Sequence, residues 1–328
     1  MKKVTFVLAL VCMCGVFFMP SHATIKKVAQ TGLQFLKVDV GARSAAMGGA
    51  FMMVGDDANA MFYNPAGIGL MQNGFDFFVA RTQWIADISY NAGGLAKKLG
   101  NWGNVGVSVI YCDYGSDIVG TRLATNDQGY VETGNLEFGA YAVGLTYAKM
   151  LTNKFTVGAQ IKYATQNLGQ NLFANGKTVE NKVSGLAYDF GTIFYPGFKS
   201  FRLGMSIRNF SPQFKYQNTA FQLPLTFTIG FAMDVLDFMG DHKNSLLLAI
   251  DAIHPRDYTE RINLGAEYWF MNMFALRGGY KFNYDEESLS GGIGIKSKLG
   301  GLGLRVEYSY SDFGVFNAVN RVSLGISF

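Results

Sequence analysis

From residue 75 to the C-terminus the sequence switches between apolar and polar on every second residue. It does so in segments about as long as a tilted strand that crosses a membrane, roughly 9 to 11 residues. In residues 302–311, Leu302, Leu304, Val306, Tyr308 and Tyr310 share one face, and Gly303, Arg305, Glu307, Ser309 and Ser311 share the other. Residues 274–284 set Phe274, Leu276, Tyr280, Phe282 and Tyr284 against Ala275, Arg277, Lys281 and Asn283. Residues 225–235 set Leu225, Phe227, Ile229, Phe231, Met233 and Val235 against Thr226, Thr228 and Asp234. Successive side chains of a strand point to opposite sheet faces, so each segment has one greasy and one wet face. The period predicts an all-β chain.

The connections say which kind of all-β chain. Fourteen strands are predicted, over 75–80, 86–97, 103–112, 134–150, 153–167, 181–195, 201–209, 224–236, 243–253, 258–270, 273–284, 287–298, 301–312 and 318–328. Three long connections, 113–133, 168–180 and 210–223, are all odd-numbered, whereas even-numbered ones such as Leu151-Thr152 and Met271-Asn272 are short. Long outer loops and short periplasmic turns are the asymmetry of a transmembrane β-barrel, and a soluble barrel has no reason to sort its loops by parity. With the first strand starting in the periplasm, the odd-numbered connections face outward. After residue 23 no apolar run reaches helix-spanning length, so a membrane location requires a closed barrel. The final strand alternates through Val322, Leu324, Ile326 and Phe328, which resembles the C-terminal signal of outer-membrane barrels. The expectation is a transmembrane outer-membrane β-barrel of about fourteen antiparallel strands, localised to the bacterial outer membrane and in contact with its lipid.

Within that frame Arg261, Glu267, Arg277, Lys281, Arg305 and Glu307 fall on inward faces of neighbouring late strands. Basic groups facing lipid near the midplane would cost ~2 to 4 kcal/mol each, so these charges are expected to line the lumen as a bracing lattice. Tyr111, Tyr195, Tyr268, Phe270 and Tyr310, near strand ends, are expected in the aromatic girdles.

Residues 1–23 read as a secretory signal peptide: Lys2 and Lys3, an apolar run over 4–19, then Ser21-His22-Ala23 at the cleavage site. Only Cys112 lies beyond it, so no internal disulfide or thiolate metal cluster is expected. A formal net charge of +4 gives no electrostatic case for nucleic acid. No G-x-S-x-G elbow occurs, and the barrel topology separates His242 from His254 across the bilayer. The pairs Gly67-x-Gly69 and Gly301-x-Gly303 lack the third glycine of a dinucleotide site. Neither an enzyme nor a cofactor or metal is expected.

Residues 24–74 form a separate unit ahead of the barrel, 75–328. Its centre, GARSAAMGGAFMMVGDDANAMFYNPAGIGL over 41–70, is the least strand-like part of the chain after the signal peptide. Asp57 can cap a short helix over 58–62, Pro65 stops that helix, and Asn64-Pro65 fit the N-cap and first position of another turn. The run G-A-R-x-x-A-M-G-G-A-F, D-D-A-x-A and Y-N-P-A-G resembles the N-terminal region of the PorV/PorQ family of outer-membrane proteins, relatives of FadL-type barrels. The matching positions include Gly41, Arg43, Met47, Gly48, Gly49, Asp56, Asp57, Asn64, Pro65, Ala66 and Gly67. The resemblance implies that this region plugs a fourteen-stranded barrel, with Arg43, Asp56 and Asp57 as partners for the luminal charges.

The resemblance also implies two functions. In the first, the barrel serves type IX secretion and docks secretion-machinery or cargo proteins at its extracellular side. Phe210, Phe214, Tyr216 and Phe221 would be exposed anchors there, as aromatics are at interfaces. In the second, a FadL-like barrel takes up hydrophobic small molecules or fatty acids. The plug would then gate a greasy pocket touched by Met47, Phe51, Met52, Met53, Met61 and Phe62.

Overall fold

A computed structural model describes residues 30–115, 118–173, 175–240 and 243–328. The proposed signal peptide and His242 lie outside the described residues. The chain opens with short helical turns at Gln34–Lys37, Ala42–Ala46, Ala58–Phe62 and Pro65–Leu70, and strands follow. They are β1 (Phe75–Gln83), β2 (Ser89–Lys98), β3 (Asn104–Asp113), β4 (Val119–Leu123), β5 (Tyr130–Asn135) and β6 (Phe138–Thr152). Next come β7 (Phe155–Leu172), β8 (Thr178–Phe194), β9 (Arg202–Phe210), β10 (Phe214–Lys215), β11 (Ala220–Phe221) and β12 (Thr226–Asp234). The last are β13 (Ser245–Pro255), β14 (Arg261–Phe270), β15 (Phe274–Phe282), β16 (Leu289–Leu299), β17 (Leu302–Phe313) and β18 (Phe316–Ser327).

Fourteen of these strands pair antiparallel with their neighbours into a closed barrel, sealed where β1 meets β18. The remaining four form two separate hairpins, β4-β5 and β10-β11, in odd-numbered connections. Closure leaves no unpaired backbone edge to lipid, which is the condition for a sheet to span a bilayer. The alternation holds in space. Leu145, Leu276 and Ile293 stand outside at 63%, 64% and 55% exposure, while the inward Thr146, Ser206, Ser309 and Ser323 are buried. Tyr111, Tyr268, Phe270 and Tyr310 are likewise exposed on the outer face.

Four expectations need correction. Residues 168–180 are not one long loop: β7 and β8 pair past a register shift at Asn167/Gln170 and leave only 173–177 to turn. Asn175-Gly176, with Gly176 at φ 78, supplies a tight turn, so the strands can keep bonding above the barrel. The even-numbered connection over 235–244 is not short, because Asp234 caps a helical turn at Val235–Phe238. Tyr195 is not a girdle residue, since β8 ends at Phe194 and Tyr195 packs against a buried cluster of plug and wall residues. Tyr284 is not on the lipid face either. Asn283 takes φ 63, which breaks the alternation and turns Tyr284 onto Arg261, 4.0 Å from its ring centroid.

Candidate functional site: the plug and the cavity above it

Residues 30–70 run through the lumen from one end to the other. The start sits at the end of the odd-numbered connections. The Gly32 amide donates to the Gln222 carbonyl at 3.1 Å, Thr31 Oγ1 to Asp257 at 2.7 Å and Lys37 Nζ to Asp257 at 3.0 Å. The finish sits at the opposite end, where Asn104 Nδ2 donates to the Ile68 carbonyl just before β1 begins. Burial pushes the Asp257 carboxyl up, but hydrogen bonds from Thr31 and the charge of Lys37 outweigh it and hold it below the usual range.

The sequence of the middle explains its shape. Asp57 accepts from the Asn59 amide at 3.0 Å and starts the turn at Ala58–Phe62. Asn64 accepts from the Ala66 amide at 3.1 Å and starts the turn at Pro65–Leu70, with Pro65 in its first position. Both are N-caps that satisfy donors a helix start leaves free. The Asn64 amide also donates to the Thr192 carbonyl of β8 at 3.2 Å, so the cap is a tie to the wall as well.

Charge makes the second set of ties. Arg43 donates to both carboxylate oxygens of Glu267 at 2.8 Å, and Arg277 Nε donates to Glu267 at 2.6 Å. Arg277 reaches on to Glu307 at 3.1 Å. Arg305 joins Asp76 at 2.8 Å and Asp57 at 3.3 Å, and Asp56, exposed, stands 3.3 Å from Arg43. Lys281 bonds Asp39 at 2.7 Å and also pairs with Glu287. Burial lowers the Arg43 affinity for its proton, but the Glu267 charge outweighs this and keeps the guanidinium charged. Burial likewise disfavours the charged Asp39, and Lys281 and Arg321 restore it, so its carboxyl lies below the usual range. Breaking one partner of such a buried pair costs about 3 to 5 kcal/mol.

Close approach is the third tie. Inward glycines on β2, β3, β7, β8, β12, β14, β15 and β16 face the plug, and a Cβ at any of them would strike it. A Cβ on Gly279 would meet the backbone of Met47 and Gly48, and one on Gly158 the backbone of Pro65 and Ala66. On the plug side Gly48, at φ +63, turns the chain after Ala42–Ala46 and lies against the β15 backbone. Gly41, Gly49 and Gly67 are similarly enclosed.

Met47, Phe51, Met53 and Met61 are fully buried as the plug's own core, and Met52 is 2% exposed. They meet wall glycines directly: Met61 against Gly94 and Gly106, Met47 against Gly265. Phe62 is half-buried, 6.2 Å from Phe78 between ring centroids. It borders a void of about 20 Å³, room for about one water. These residues pack against one another and against the wall. A larger cavity lies elsewhere. At the odd-numbered end, above Tyr63, about 470 Å³ opens between Lys37, Asp39, Trp84, Tyr90, Tyr114, Arg208, Tyr258, Arg261, Lys281, Tyr284, Glu287 and Arg321.

The aromatics expected as exposed anchors mostly turn inward. Phe214 is 5% exposed, and Tyr216 and Phe221 stack on each other at 5.2 Å and pack on the luminal core. Phe221 closes on Gly32 and Phe214 on Gly185, because glycines there leave room for a ring. Only Phe210 of the four is exposed, at 53%, on the outer face of β9. The luminal charges Glu267, Lys281 and Arg305 join plug to wall, Arg277 and Glu307 extend that network along the wall, and Arg261 lines the cavity. Sequence reasoning missed Lys37, Asp39, Asp76, Arg208 and Arg321. Period two would have found Arg321, which alternates with Val322 and Leu324, whereas nothing local marks Lys37 or Asp39.

A closed fourteen-stranded barrel with a lipid-facing apolar exterior and a lumen filled by its own N-terminal segment is a plugged outer-membrane β-barrel. The family described as "Type IX secretion system protein PorV" matches residues 21–254, and the chain belongs to it. Among solved structures, the CymD monoaromatic hydrocarbon channel is similar in fold, with TM-score 0.54 and 15% identity over 91% of this chain and 99% of that one. The Pseudomonas putida toluene transporter TodX is similar too, with TM-score 0.54 and 12% identity over 88% of this chain and 97% of that one. At such identities the likeness is one of fold. No curated protein matches the chain.

Proposed function

We propose that this barrel works in type IX secretion as a lipid-embedded docking protein that engages a secreted or machinery protein at its extracellular end. The observation that carries the reading is the filled lumen: below the mouth the plug touches the wall backbone to backbone and its charges are matched. A barrel closed in this way offers surfaces rather than a conduit. Its odd-numbered end carries the raised β7-β8 hairpin and the β4-β5 hairpin, whose Leu123 is 88% exposed. Family membership supports the same reading.

The uptake alternative draws on the mouth cavity, which is large enough for a small molecule, but its lining mixes aromatic rings such as Phe35, Trp84 and Phe313 with charged groups, and the plug residues Met47, Phe51, Met53 and Met61 are not part of it. The test is photo-cross-linking in intact cells from Leu123 and Phe210, both exposed. Adducts with a secreted or secretion-machinery protein are expected at one or both positions. The absence of any protein adduct, together with lower long-chain lipid uptake in a Glu267→Gln variant than in wild type, would overturn the proposal in favour of uptake.

A further inference from the structure

Acids equal in number the five basic groups around the mouth cavity, but only two of those five, Lys37 and Lys281, have an acid within ion-pair distance among the described residues. Lys37 is matched by Asp257, and Lys281 by Asp39 and Glu287. Arg208, Arg261 and Arg321 also line the cavity, and none of them has a carboxylate within ion-pair distance among the described residues. Asp285 and Glu286 stand at the exposed rim.

Each of the three arginines is held in place by something other than an acid. Arg208 Nη1 donates to the Phe62 carbonyl at 2.7 Å. Arg321, 1% exposed, donates from Nη1 to Ser311 at 2.9 Å and lies 5.8 Å from the Trp84 ring. Arg261 packs on the rings of Tyr258 and Tyr284, at 4.2 and 4.0 Å from their centroids. A guanidinium that packs on rings through its face keeps the N-H groups of its edge for a partner, and that edge matches a planar carboxylate. The Nε atoms of Arg261 and Arg321 are buried with no hydrogen-bond partner. Buried donors without partners are rare in folded proteins and mark a place where a ligand or water completes the set.

We propose that the extracellular mouth is a binding site for a small organic acid. Its carboxylate lies against Arg261 and Arg321, and its flat apolar body packs on Trp84 in the same cavity. A volume of 470 Å³ falls within the roughly 300 to 1,000 Å³ of small-molecule sites. The site is separate from the plug's methionine core and does not depend on the docking reading; either can fail alone.

Benzoate is the probe, with neutral benzamide as its isostere. Purified barrel in detergent, with Trp102→Phe and Trp269→Phe so that Trp84 alone fluoresces, is titrated with each. Saturable quenching by benzoate, at least tenfold tighter than by benzamide, is expected. Arg261→Gln and Arg321→Gln should each weaken benzoate at least tenfold and leave benzamide unchanged. Arg321 is fully buried, so its variant can lose the fold; Arg261, partly exposed, carries the test alone in that case, with heat-modifiable gel mobility as the check on folding. Equal affinity for the two probes, no saturable response to either, tighter binding of inorganic phosphate than of benzoate, or wild-type benzoate affinity in folded Arg261→Gln would each overturn the proposal.

Discussion

The two halves of the lumen are built on opposite principles. Below Tyr63 the plug meets the wall through glycines, and almost every charge has a counter-charge at 2.6 to 3.3 Å. Above it lie an open cavity, three arginines with no acid within ion-pair distance among the described residues, and a strap over 31–37 held chiefly through one aspartate. A close-packed interior cannot give way by degrees, since parting plug from wall at any point leaves a void or a bare charge. The upper half has open space beside its charges, so a side chain there can shift without leaving a void in the wall. The difference teaches that the plug is packed as part of the barrel along most of its length and that the open space lies at the mouth.

The sharpest way to break that comparison is Glu267→Gln. It leaves Arg43 and Arg277 facing each other without their shared anion, and should destabilise the barrel by about 3 to 5 kcal/mol. Denaturant midpoints of the protein in detergent measure it. A loss under about 1 kcal/mol, the worth of an exposed pair, would show the lower lumen to be as wet as the mouth. Next is Gly279→Val. Overpacking typically costs about 1 to 3 kcal/mol, and here the obstacle is plug backbone rather than a flexible side chain. Faster proteolysis between 41 and 70 in folded barrels is the expected readout, and unchanged protection would mean the plug is free to shift.

The smallest effect is at the strap. The Asp257 carboxyl is held below its usual range, so its contribution is complete above the ordinary aspartate value of about 3.9 and is lost as pH falls through the depressed one. Hydrogen exchange over 31–37, corrected for intrinsic rate, should therefore rise at the acid end, and Asp257→Asn should raise it at neutral pH by roughly 1 kcal/mol of opening free energy. Exchange over 58–70 should not change in Asp257→Asn. Parallel changes in the two segments would remove the distinction between the halves.

What could be read from the sequence was whatever is decided locally. Alternation fixes which way each strand residue points, so the wall and its inward charges were legible. Asn64-Pro65 and Asp57 announce their turns within three residues, so the plug's helical turns were legible as well. What was hidden depends on residues far apart in the chain. Phe214 and Phe221 turn inward because Gly185 and Gly32 leave space for their rings, and those glycines lie on other segments. Tyr284 moved to the lumen on a single positive φ at Asn283, which no alternation rule anticipates. The cavity draws on the strap, the wall and several outer loops at once, and no stretch of sequence contains it.

The inward glycines have one more consequence. A cylinder of hydrogen-bonded strands can close at more than one circumference, and these bare backbone patches match only the girth of the segment they enclose. The plug leaves the ribosome before any strand and ends up spanning the finished cylinder from rim to rim. It can thus serve as a mandrel on which β1 and β18 are brought to their meeting register, so a chain without it would lose its gauge as well as its stopper.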